Sequence, residues 1–75
     1  MTKVDAQIIV AMADFDMKIS QISRNLFMHR HTVHYHLDKV KQQTGLDARR
    51  FYDLVELLKI AQKALGGEIE NDTRD

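Results

Sequence analysis

An all-α domain of four helices is what this sequence predicts, on three observations. Apolar residues recur at spacings of three and four, proline is absent, and helix start and stop signals bound each apolar stretch. Seventy-five residues make one domain, near the size at which a single core stabilises a fold only marginally. Helices suit that size because each satisfies its own backbone hydrogen bonds and needs only one apolar stripe. The expected helices cover about 3–15, 20–27, 30–43 and 48–65.

The first helix starts at Thr2, with Asp5 three residues later completing a capping-box-like pair. Val4, Ile8, Met12 and Phe15 form its inner face, with Ile9 and Val10 off that stripe, and 14–18 is read as a loop. Ser20 is the expected N-cap of a short second helix that turns Ile22 and Leu26 inward and Arg24 and Asn25 to solvent. Phe27 and Met28 then make an apolar corner, read as a packed turn.

The third helix buries Val33, Leu37 and Val40, carries His29 at its cap and stops at Thr44-Gly45, where glycine can take a positive φ. Asp47 is the expected N-cap of the fourth helix. Phe51, Leu54, Val55, Leu58, Ala61 and Leu65 line one side of that helix and Leu57, Ile60 and Ala64 another, until Gly66-Gly67 ends it. Residues 1–65 thus read as one domain and 66–75 as an acidic, disordered tail.

Eleven Lys and Arg balance eleven Asp and Glu, but their distribution is uneven. Between residues 18 and 41, Lys18, Arg24, Arg30, Lys39 and Lys41 face Asp38 alone, and all four histidines fall in the same stretch. A concentrated basic segment is the electrostatic footprint of phosphate binding even in a neutral chain. The absence of cysteine excludes a disulfide framework and a thiolate metal site. With no apolar run long enough to span a bilayer and no signal peptide, the chain reads as soluble and cytoplasmic, with no membrane partner.

The functional signal lies in residues 19–40, where a short helix, a tight corner and a second helix follow one another as in a helix-turn-helix. Such a unit needs a small residue where its helices cross, an apolar residue in the turn and inward anchors on the second helix. Ser23, Met28, Val33 and Leu37 occupy those places in order. The second helix would then present His29, Arg30, His31 and Thr32, and one turn later His34 and Tyr35, to the major groove.

Residues 18–47 resemble the C-terminal DNA-binding domain of the PucR-type regulators of purine catabolism and sugar-diacid use. Leu26, Phe27, His29, Arg30, Thr32, Val33, Tyr35 and Leu37, followed by Thr44, Gly45, Leu46 and Asp47, match that family's core. The resemblance implies a Fis-like fold that binds DNA as a dimer. His31 stands where the family has Asn, His36 where it has Arg and Ser23 where it has Ala. The two histidines imply a DNA sequence preference of its own, and the histidine in place of Arg predicts that affinity rises as pH falls through the imidazole range. In that family the module ends a much longer regulator. With its own Met1, this chain is read either as a stand-alone protein or as a segment of one.

Arg30 is the expected base reader, since a guanidinium can bond both guanine acceptors; a phosphate contact or an internal ion pair is its alternative. Thr32 is assigned to phosphate or to the helix start, and His29 to the cap or to DNA. His34 and Tyr35 reach bases or backbone, or form an exposed polar face, while Lys39 and Lys41 serve phosphate or solvent. On a helix His29 and His36 share one side and His31 and His34 a roughly opposite one, so four ligands cannot converge on a metal. No cofactor or small-molecule ligand is implied, and no nucleophile elbow, phosphate loop or carboxylate pair points to an enzyme.

Leu57, Ile60 and Ala64, with Ile9 and Val10, amount to more apolar surface than one small bundle readily buries, which suggests a homodimer interface. The alternative to sequence-specific double-stranded DNA binding is a protein-interaction adaptor or antagonist that keeps the helix-turn-helix fold, favoured by the zero net charge.

Overall fold

A computed structural model describes residues 1–66 as four helices, α1 (Lys3–Asp14), α2 (Ile19–Asn25), α3 (Arg30–Thr44) and α4 (Phe51–Ala64), with no strand among the described residues. The chain therefore has the all-α, four-helix architecture expected of it. Of the expected acidic tail, residues 67–75 lie outside the described residues.

The capping box at the start of α1 is present in full. The Thr2 hydroxyl accepts from the Asp5 amide and the Asp5 carboxylate accepts from the Thr2 amide, both at 3.1 Å. α1 packs on all three other helices and most extensively on α4. It is therefore buried around most of its circumference, with Asp5, Ala6, Ile8, Ile9, Ala11 and Met12 inside. The single stripe expected from Val4, Ile8, Met12 and Phe15 understates this, since Val4 is exposed and Ile9 is core. Each large apolar side chain taken fully from water stabilises by about 1.5–3 kcal/mol. An exposed pair such as Lys59 with Glu56, 3.5 Å apart, contributes at most about 1 kcal/mol. Interior packing of α1 dominates the stability.

α2 begins at Ile19 with Lys18 in the cap position, so Ser20 is not the N-cap; it lies within the first turn, where its carbonyl accepts from the Ser23 hydroxyl at 3.0 Å. That bond satisfies the one polar group of a side chain buried on α2. After Asn25 the backbone turns through Phe27 at φ 55°, and the Met28 amide donates to the Ser23 carbonyl at 2.8 Å. Met28 packs against the core, and Val33 and Leu37 are buried, so the four helix-turn-helix positions hold. The packed corner holds only in part: Phe27 is 95% exposed. Its left-handed backbone accompanies an outward side chain while its neighbour turns in.

α3 buries Val33, Leu37 and Val40 and stops at Gly45, whose φ of 78° lets its amide close on the Lys41 carbonyl at 2.7 Å. α4 starts at Phe51, three residues later than expected, with Arg50 in the cap position. Asp47 does not cap it. Its carboxylate instead accepts from the amide of Arg49 at 3.0 Å and from that residue's Nε at 2.8 Å, a local turn that competes with helix. Leu54, Leu57 and Ala61 form the core side of α4, with Leu58 and Leu65 partly buried against it.

Candidate nucleic-acid interface

The amino-terminal turns of α3 form an outward surface. His29, Arg30 and His31 are exposed and Thr32 is half-buried, and together these four line an open concavity at the helix start. Tyr35, one turn further on, is 61% exposed. His29 occupies the N-cap, as expected, but makes no side-chain capping bond.

Among the described residues, the α3 side chains that bond beyond α3 are His34, His36, Asp38, Lys39, Lys41 and Thr44. None of His29, Arg30, His31 or Thr32 is so engaged. The first amides of α3 point the same way and carry the positive end of the helix dipole, so the surface suits an anion beside a hydrogen-bonding ligand.

The other flank of α3 turns inward. Asp5 of α1, its side chain fully buried, accepts from Nδ1 of His36 at 2.7 Å and pairs with Nζ of Lys39 at 3.2 Å. Burial pushes the Asp5 carboxyl up, but the bonds from His36, the Thr2 amide, Lys39 and the Thr2 hydroxyl outweigh it and hold the carboxyl below its ordinary value. Two expectations change here. Lys39, expected on phosphate or in solvent, has its ammonium on Asp5. His36, read as a departure that alters DNA preference, braces α3 against α1. Spacing within one segment could not show this, because the partner lies 31 residues earlier in the chain.

Arg49 was not singled out in the sequence, yet it links the loop before α4 to the outer side of α3. Its Nε meets Asp47 at 2.8 Å, its Nη2 meets Asp38 at 2.7 Å and its Nη1 meets Nδ1 of His34 at 3.1 Å. The hydrogen bonds to Asp47 and Asp38 raise the Arg49 pKa against the opposing effect of burial. For Asp47 burial acts upward, and the bonds and charge of Arg49 together with Lys41 bring its carboxyl below the ordinary value. The one local signal for Arg49 is Asp47 two residues earlier, which by itself predicts only an N-cap. No group of three or more metal-ligating side chains comes together among the described residues.

The five residues expected at a dimer interface are not one surface. Ile9 and Leu57 are both 0% exposed and belong to the core, because α1 is enclosed and α4 turns Leu57 onto it. Val10 is partly buried against that core, whereas Ile60 and Ala64 are exposed. Phe51, Tyr52 and Val55 are exposed on α4 as well, although Phe51 and Val55 belong to the expected stripe that also carries Leu54 and Ala61. No described helix is long and apolar enough to cross a membrane.

A family model described as the PucR C-terminal helix-turn-helix domain matches residues 6–61. Neither the curated proteins nor the solved structures contain a match to this chain.

Proposed function

This chain belongs to the family of PucR C-terminal helix-turn-helix domains, and on that premise we propose that it binds double-stranded DNA sequence-specifically in transcriptional control. The observation that carries the reading is the amino-terminal end of α3, where an exposed arginine, without an ion-pair partner among the described residues, stands among three other hydrogen-bonding side chains. In this reading α3 enters the major groove with Arg30 on a guanine. Thr32 meets phosphate, and His29, His31, His34 and Tyr35 serve base edges or backbone. Lys39 is left to Asp5.

The DNA-bound form is a homodimer whose two reading helices enter successive major grooves about 34 Å apart. Ile60 and Ala64, i and i+4 on the outer side of α4, are the members of the expected interface still available to a partner.

Selection of bound sequences from a random duplex pool tests the proposal. The expected product is a two-fold symmetric site whose affinity falls steeply with salt. Arg30→Ala should cost about 1–3 kcal/mol of discrimination at one base pair per half-site. Weak, salt-insensitive binding without sequence enrichment, beside a stable complex with another protein, would favour an adaptor role instead.

A further inference from the structure

His34 lies in the second turn of α3, half-buried beside the loop that leads to α4. Two carboxylates fix the Arg49 guanidinium there, Asp47 through Nε and Asp38 through Nη2. Its remaining arm, Nη1, is 3.1 Å from Nδ1 of His34. A guanidinium has N–H donors and no acceptor, so this bond forms only if Nδ1 of His34 bears a lone pair. The ring proton then stands on Nε2, the polar edge of the ring turned away from Arg49.

His36 shows the opposite arrangement. Its Nδ1 meets a carboxylate, which can only accept, and so carries a proton. Two histidines on one helix thus have their tautomers set by the charge of their partners.

We infer that Arg49, outside the helix-turn-helix, is a positioning residue that fixes His34 as an Nε2–H donor, so that His34 selects a hydrogen-bond acceptor on DNA. The inference rests on the DNA reading proposed above. The acceptors that fit are a purine N7, guanine O6, thymine O4 or a phosphate oxygen, while the amino group of cytosine is rejected as a second donor. Of the charged groups sharing this side of α3, Arg30 and Lys41 are donors without an acceptor, and Asp38 is held by Arg49 and so does not compete for the His34 proton.

Long-range 1H–15N correlation spectra of the DNA-free protein at neutral pH read the tautomer directly. The Nε2–H form is expected for His34 in the wild type, with loss of that preference in Arg49→Ala. A wild-type ring protonated on Nδ1, or on both nitrogens, overturns the inference. This wild-type measurement decides the matter even if Arg49→Ala does not fold.

In the random-pool selection, His34→Ala and Arg49→Ala should each weaken the preference at the same base pair by on the order of fivefold, leaving that read by Arg30 intact. A uniform loss on all sequences in both variants identifies the acceptor as phosphate. A preference untouched by Arg49→Ala overturns the positioning role. If the wild type enriches no sequence, the DNA reading fails and the contact with it, whereas the tautomer still reports whether Arg49 orients His34.

Discussion

The two sides of α3 are built from the same residue types and have opposite fates. On the inner side, His36 and Lys39 converge on a carboxylate sealed inside the fold. At the outer amino-terminal end, His29, Arg30 and His31 stand exposed, and their side chains bond to none of the described residues. The difference teaches that a basic segment need not be one functional surface. Of its charges, those facing another helix hold the domain together, and those at the unpacked end stay exposed, where the proposed DNA contact draws on them.

The largest effect expected from breaking this contrast is that of Asp5→Ala. It removes half of the capping box and leaves His36 and Lys39 without their acceptor. A loss of about 2–3 kcal/mol is expected, below the cost of breaking a fully buried pair because the His36 and Lys39 side chains retain some solvent. Thermal denaturation followed by circular dichroism should show a midpoint lower by at least roughly 10 °C. A shift of only a degree or two would mean that packing alone fixes α3 on α1.

Acid should act on both sides of the helix. A carboxyl depressed in the folded state contributes stability that is present above its unfolded pKa and lost as pH falls through the folded value. Asp5 and Asp47 are both depressed. Stability should therefore hold at neutral pH and decline below the ordinary carboxylate range, and Asp5→Asn should flatten part of that decline. Urea midpoints measured across acidic pH check the sign, and a wild-type curve that rises on acidification would contradict it.

Phe27 offers a smaller test, at the corner where the outer side begins. A bulky residue in the left-handed region costs about 1–2 kcal/mol, and glycine there avoids the strain at an entropic cost of about 0.5–1 kcal/mol. With 95% of the side chain exposed, Phe27→Gly gives up little packing. A gain of up to about 1 kcal/mol in urea denaturation is expected, and a loss would show that the ring packs on the fold. Least of all should happen to stability with His29→Ala or His31→Ala, which stay within about 0.5 kcal/mol of the wild type. If either destabilises by more, the outer end is structural after all.

Much of this was legible along the chain. The Thr2/Asp5 box, the Val33, Leu37 and Val40 anchors and the glycine stop at Gly45 came from local rules, since each depends on residues within a turn or two of one another. The helix-turn-helix was readable for the same reason: Ser23, Met28, Val33 and Leu37 are tied by fixed spacing. The exposed start of α3 also follows, because a helix that anchors through every third or fourth residue must turn the others outward.

What only the tertiary structure decided is how contacts distant in sequence divide similar residues. Ile9 and Leu57 read as surplus apolar surface until three helices enclosed α1. Asp47 read as a cap until Arg49 drew its carboxylate into a turn. His36 and Lys39 read as part of the basic face until Asp5 was placed beneath them. Periodicity fixes which side chains share a face of one helix. Which face meets another helix, and what charge waits there, depends on packing between elements that no local spacing records.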